Sequence, residues 1–327
     1  MNNNILVIGG GGYVGSMLVP KLLELGYNVK VYDLFLYGNY LNNHTNLKYY
    51  KGDIRNIKKI KTIMKDVDTI IHLACISNDP SFELNPDISK SINYDCFEPL
   101  VKLSIDLGIK KFIYASSSSV YGIKKDQNVI ESANLEPLTD YSKYKALCEE
   151  ILLKYKSNNF HPIVLRPSTV NGYSPRLRLD VVVNIMANLA YNTAKIRVFG
   201  GDQLRPNINM LDMVEAYIAV LKAPLELTSG ECFNVGDENL SVREIAGKVE
   251  SCFLKKITIE TEHSDDNRSY HISSKKMSDV LNFKLEYNVL DGIKSIISSF
   301  DKKLFLNTLT EDNFYNLKVL RKSDLLN

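Results

Sequence analysis

The segment VIGGGGYVGS, Val7 to Ser16, decides the fold. It continues the apolar run Ile5–Ile8, which has the length and end signal of a buried strand. It opens a stretch of helical apolar spacing, Val14–Leu25, for which Gly26 is the stop. Two glycine patterns overlap inside it. Gly9, Gly12 and Gly15 give Gly-x-x-Gly-x-x-Gly, and Gly10, Gly12 and Gly15 give Gly-x-Gly-x-x-Gly. Glycine permits the tight turn and lets a diphosphate approach the backbone. The helix N-terminus behind it turns unpaired N–H groups toward the anion. Purely structural turns also carry such glycines, but the strand–turn–helix context favours a dinucleotide site.

Outward from this segment, Asp33 ends the next strand, about 20 residues on, where a carboxylate can accept hydrogen bonds from the adenosine ribose. It would repel a 2′-phosphate, and no Arg or Lys occurs from Leu34 to Leu41 to offset that, so NAD is expected rather than NADP. A solvated turn aspartate is the other reading. Asp53, in KGDIRN, can hold the adenine amino group or simply cap a helix. Strand-like runs at Val29–Tyr32, Leu47–Lys51, Thr69–Leu73, Lys111–Ser116 and Ile163–Leu165 alternate with helical ones at Ile54–Lys65, Pro86–Leu107 and Asp140–Asn158. That alternation predicts an α/β protein: a Rossmann-type doubly wound parallel sheet over residues 1–171, with a return segment near 207–237. Residues 172–327 are expected to form a smaller mixed α/β C-terminal substrate lobe. Its elements include a helix at Asp212–Lys222 and one opened by the Ser241/Glu244 capping-box pattern. Ligands of open parallel sheets sit beyond the strand carboxyl ends, so the cleft between the lobes is the expected site.

Composition excludes several alternatives. The 327 residues carry a net charge of only +2, which gives no reason to expect a nucleic-acid or membrane surface. The five cysteines, Cys75, Cys96, Cys148, Cys232 and Cys252, are scattered without a Cys-x-x-Cys pair, and the histidines form no helical metal pair. Neither a disulfide framework nor a metal site is expected, and a reducing cytoplasmic setting fits. The apolar stretch from Ile5 to Leu25 is broken by four glycines and preceded by no basic segment, unlike a signal sequence.

The chemistry is carried by Tyr141-Ser142-Lys143-Tyr144-Lys145 on a predicted helix. Spacing i, i+4 puts Tyr141 and Lys145 on one face. A neighbouring ammonium and a nicotinamide cation would lower the phenol's pKa, letting Tyr141 exchange a proton with a hydroxyl while hydride moves to or from the cofactor. A hydroxyl partner is expected from ASSSSVYG, where Ser116 to Ser119 compete. Alone, either motif is also an ordinary solvated helix face or a self-satisfied strand end.

Taken in order, VIGGGGYVGS, Asp33, GDI, HLA, ASSSSVYG, YSKYK, LRPSTVNG, VFGGDQLRPNI, FNVG and DDNRSYHIS resemble the extended short-chain dehydrogenase/reductase family, the relatives of UDP-galactose 4-epimerase, over nearly the whole chain. The resemblance implies Ser117 as the catalytic hydroxyl beside Tyr141 and Lys145. It implies NAD contacts near Gly9, Gly12, Tyr13, Val14 and Gly15, at Asp33, Asp53 and Ile54, and at Leu73, Ala74, Asn93, Lys145 and Pro167. It places a sugar-nucleotide diphosphate near Arg205 and Arg268, whose planar donors suit phosphate oxygens. It also suggests a homodimer through the helices near 86–107 and 140–158, where Leu100, Leu103, Leu107, Leu147 and Ile151 are either surface or core.

Three departures qualify the match. Ile8 stands where many relatives have Thr, and Thr169 where 4-epimerases often have Asn for the substrate phosphate. The loop SPRLRLD, residues 174–180, is similar to that of bacterial enzymes acting on GDP-heptoses and capsule sugars. Arg176 and Arg178 there are either contacts to a phosphate or unusual sugar, or a charged loop. Ser118 and Ser119 follow Ser117 in place of the Asp-Glu pair of 4,6-dehydratases, which argues against dehydration. What remains is NAD-dependent oxidoreduction at C4 of a nucleotide-diphosphate sugar, as an epimerase or a net 4-dehydrogenase of bacterial surface polysaccharide synthesis. A non-catalytic NAD-binding scaffold or redox sensor of the same fold is the alternative.

Overall fold

The computed structural model describes residues 3–124, 128–236, 238–263 and 271–326. Strands β1 (Asn4–Ile8), β2 (Asn28–Asp33), β3 (Leu47–Lys51), β4 (Thr69–His72), β5 (Lys111–Ala115) and β6 (His161–Pro167) form one sheet with the strand Glu231–Val235. The order runs Glu231–Val235, β6, β5, β4, β1, β2, β3, and every neighbour pair is parallel. The strands are apolar on both sides because both faces are covered. In β1, Ile5 and Val7 join the cluster under the helices Gly15–Glu24 and Met210–Lys222, while Leu6 and Ile8 join Ile60, Phe97, Leu100 and Leu152 on the other face. The sheet order reverses between β1 and β4, so the crevice at the strand carboxyl ends opens there.

A third cluster, with Leu177, Leu179, Val183, Ile196, Ile245 and Ile293, fills the space among the helices Val182–Thr193, Val242–Glu250 and Val289–Asp301. The last two helices start at capping boxes, Ser241 with Glu244 and Asn288 with Asp291. The strand Glu231–Val235 lies in the expected return segment and adds a seventh strand to the main sheet. Its Asn and Gly neighbours hide the apolar alternation that would have marked it.

Two elements differ from expectation. The helix expected over Pro86–Leu107 is interrupted by a π turn at Ser91–Asp95 before resuming at Phe97–Asp106. The turn carries Asn93, whose amide bonds both backbone groups of Ile76, at 2.8 and 2.9 Å. The helix after β3 starts late, at Ile57, because Asn56 is its cap and accepts from Lys59 N at 3.0 Å. Asp53 is therefore not a helix cap. No helix among the described residues is long and apolar enough to cross a membrane.

Candidate active site

A cavity of 570 Å³ lies at the carboxyl ends of the parallel strands, floored by the glycine turn. Gly9 has φ +86°, and a Cβ there would sit 2.4 Å from Ala74 N, so the turn packs directly on the end of β4. At Gly12 a Cβ would meet only Gly9 O, at 3.3 Å, and the space lies toward the cavity. The helix Gly15–Glu24 begins at Val14 with no side-chain cap and no acidic residue in its first turn. Open N–H groups behind an uncrowded glycine fit the diphosphate of a dinucleotide. Tyr13 and Val14 also line the wall. The Tyr13 phenol, however, is committed elsewhere: it donates to Gly172 O at 2.6 Å and accepts from Asn184 Nδ2 at 2.9 Å.

Asp33 faces the same cavity. Its Oδ2 accepts from Gly11 N at 2.9 Å and its Oδ1 from Phe35 N at 2.6 Å, and burial raises its pKa above the usual carboxylate value. Each oxygen keeps a second lone pair for a ribose hydroxyl. Asp53 and Ile54 extend this end, with Asp53 held by Arg55 at 2.6 Å. Leu73, Ala74 and Pro167 line the wall, whereas Asn93 stands behind it, holding Ile76. Sequence pattern alone does not separate that supporting position from a contact.

The reactive groups converge opposite the glycine turn. The helix Asp140–Lys154 opens with a capping box of Thr139 and Ser142, which sets Tyr141 and Lys145 one turn apart in the cavity. Of the four competing serines, Ser117 lines the cavity with Tyr141 and is the one that acts on its phenol, lowering its pKa. Its Oγ also lies 2.8 Å from that of Ser119. Ser116 turns away to Glu149, and Ser118 is buried. Lys145 is buried, donates to Ala115 O at 2.6 Å, and lies 5.9 Å from the Tyr141 ring centroid. The expected depression of the Tyr141 phenol is not produced by the chain itself. Burial pushes its pKa well above the ordinary value, Cys75 and Asp79 push the same way, and Arg178 and Ser117 oppose them.

Of the residues expected to meet the substrate, Thr169, Arg176, Arg178 and Arg205 line the cavity. Arg268 lies outside the described residues. Arg205 sits on the strand Leu204–Asn209, paired with Asn239–Ser241. The loop 174–180 alternates: Leu177 and Leu179 enter the third core cluster while Arg176 and Arg178 enter the cavity. The solvated charged-loop reading fails, since Arg176 is 2% exposed and the Arg178 side chain 13%. Arg178 pairs with Asp180 at 2.5 Å. Sequence reasoning missed Tyr37, Cys75, Asp79, Asp180 and Asn316, all in the wall. Asn78, with φ +73° just before Asp79, caps the short helix Asp79–Phe82 and gives the only local signal.

Comparisons with known proteins agree with this geometry. The model of the NAD dependent epimerase/dehydratase family matches residues 5–236. A UDP-glucose 4-epimerase of Lactobacillus helveticus is 26% identical over 313 residues, covering 88% of this chain and 94% of that protein. The structure of a UDP-glucose 4-epimerase with UDP-glucose from Thermotoga maritima superposes with a TM-score of 0.83 at 25% identity, over 92% of this chain and 100% of that one. A dTDP-glucose 4,6-dehydratase from Bacillus anthracis in complex with NAD superposes with a TM-score of 0.80 at 25% identity, over 92% of this chain and 97% of that one.

Proposed function

The chain belongs to the NAD-dependent epimerase/dehydratase family, and from that membership we propose that it oxidises C4 of a nucleotide-diphosphate sugar, as an epimerase or a 4-dehydrogenase of bacterial surface polysaccharide synthesis. The observation that carries the proposal is the meeting of Ser117, Tyr141 and Lys145 inside the cavity that the glycine turn floors. NAD supplies the hydride acceptor. Tyr141 takes the proton of the C4 hydroxyl and Ser117 holds the same oxygen, leaving a 4-keto sugar. Lys145, fixed by Ala115 O, holds positive charge beside the phenol and favours the phenolate once the cofactor's own charge is added. Arg178, Thr169 and Arg205 line the same cavity, and their assignment to the sugar nucleotide is part of the proposal. Retention of the keto sugar for re-reduction would give the epimer, and its departure would give net oxidation.

The test is incubation with UDP-, GDP-, CDP- and dTDP-sugars, read by mass spectrometry and NMR. A product of unchanged mass without NADH accumulation identifies an epimerase. A product lighter by two hydrogens, with NADH, identifies a dehydrogenase. Loss of water overturns the proposal, and NAD binding without turnover of any sugar supports the scaffold reading. We further propose a homodimer, since Leu107, Leu147 and Ile151 stay half-exposed on the two helices that would pair, while Leu100 and Leu103 are core. A monomer by sedimentation at micromolar concentration overturns it.

A further inference from the structure

Arg176 is the largest fully buried side chain among the described residues, and it makes no ion pair with any of them. No described carboxylate lies within ion-pair distance of it. Asp180 is already used by Arg178 and by Asn316 N, at 2.9 Å. Asp33 feels the Arg176 charge but makes no ion pair with it, its bonds going to Gly11 N and Phe35 N. Arg176 lies over the Tyr37 ring, 3.9 Å from its centroid, and donates from Nη2 to Asn316 Oδ1, while its buried Nε finds no acceptor among the described residues. A buried charge with open donors is costly unless something pairs with it.

The two arginines of the loop share neighbours but differ in what else they reach. Both act on Tyr37, but Arg178 also acts on Tyr141, at the reacting end, and Arg176 on Asp33, at the adenosine end. Between those ends lies the glycine turn, where the open space at Gly12 and the uncapped helix leave room for a diphosphate. We infer that Arg176, propped by Tyr37 and Asn316, is a clamp on the cofactor's diphosphate rather than a contact to the sugar nucleotide, closing the dinucleotide in from the side opposite the glycine turn. Asn316 carries the clamp into the rest of the structure, because its Nδ2 donates to Ser77 Oγ at 2.9 Å, beyond the end of β4. A cofactor held on two sides stays bound between turnovers.

The experiment compares the native chain with Arg176→Met, Arg176→Lys and Asn316→Ala, using NADH, ADP-ribose, adenosine and UDP as separate ligands. Arg176→Met keeps the buried stem and removes the charge. Expected is a loss of about 10- to 150-fold in NADH and ADP-ribose affinity, the range for losing a hydrogen bond to a charged group. Adenosine and UDP should bind as before, Arg176→Lys should recover part of the loss, and Asn316→Ala should lose less than Arg176→Met. The ligand-free Arg176→Met chain should melt no lower than native, since it sheds an unpaired buried charge, while its stabilisation by NADH shrinks. A lower melting temperature with unchanged NADH affinity makes Arg176 a structural prop and overturns the clamp. So does a loss that falls on UDP. These ligand titrations do not depend on which sugar the protein turns over.

Discussion

Glu149 Oε2 lies 2.6 Å from Arg166 Nη2, and this buried ion pair ties the helix that carries Tyr141 to the central sheet. Glu149 follows Lys145 by one helical turn and also accepts from Ser116, next to Ser117. Arg166 reaches on to the Tyr121 hydroxyl at 2.8 Å, which donates to Asn234 on the strand Glu231–Val235. Every reactive group therefore shares one frame. Glu149→Gln leaves the Arg166 charge buried without its partner, and should cost about 3–5 kcal/mol of stability. The double variant Glu149→Met/Arg166→Met should cost less than the single changes Glu149→Met and Arg166→Met summed, by urea unfolding of these three and the native chain. Any active single variant should lose kcat more than KM, since the pair positions Tyr141 and touches no ligand.

Tyr141→Phe should lower kcat by about 10²–10⁴-fold with NADH affinity unchanged, the usual contribution of a general acid/base. The pH profile of oxidation should rise with pH, because phenolate is the reactive form and burial opposes it. Asp79→Asn removes a like charge from the phenol and should move that limb to lower pH. Arg178→Met removes a favourable cation and should move it to higher pH. A limb that stays fixed in both variants would mean that Tyr141 does not set it.

Asp33→Ala should raise NADP affinity relative to NAD, as the carboxylate at the ribose position is removed while Gly11 and Phe35 stay in place. Native preference for NADP in the same titration would show that Arg176, nearby, outweighs Asp33.

His72, on β4, is buried against Phe97, Phe112 and Tyr114, and burial pulls its pKa from 6.5 down to about 3. The unfolded chain binds a proton below about 6.5 that the folded chain refuses until about 3. Its contribution to stability is therefore intact above the upper value and falls as pH drops through this window, by up to about 1.4 kcal/mol per pH unit. His72→Phe should flatten the stability–pH curve by about one proton across that range, measured by denaturant unfolding at several pH values. Equal slopes would mean that His72 is protonated in the folded chain.

What could be read in the sequence was what local chemistry fixes. The glycine turn, Asp33 and the Tyr141/Lys145 spacing are set within one element or one turn, and all of them face the cavity. Ser117 needed more, since only the orientation after β5 separates it from Ser116 and Ser118. Asn316 was out of reach: it meets Arg176 across 140 residues of chain, and an Asn at a helix start carries no sign of that partner. Asn93 was visible but not its role, because a π turn swings it toward the backbone of Ile76 instead of the cavity.

Arg205 gives the counterpart to Arg176. It lies on the strand Leu204–Asn209, opposite Leu240 in the antiparallel pair, and its side chain lines the cavity. One of its nitrogens, Nη1, donates to Leu204 O at 3.1 Å, which holds the guanidinium near its own strand. A planar fork there can give the diphosphate of a sugar nucleotide two charge-assisted hydrogen bonds. Losing a hydrogen bond to a charged group costs roughly 1.5–3 kcal/mol, about 10- to 150-fold in affinity. Arg205→Ala should weaken UDP, or whichever nucleoside diphosphate the protein prefers, by that order, with NADH affinity nearly unchanged. Arg205→Lys should recover only part, since an ammonium keeps the charge and loses the fork. Calorimetric titration of both ligands into both arginine variants gives a crossed pattern: UDP lost at Arg205, NADH lost at Arg176. If Arg205→Ala binds every nucleoside diphosphate as the native chain does, the substrate's phosphates lie elsewhere, and Arg178 is left as the cation on that side of the cavity.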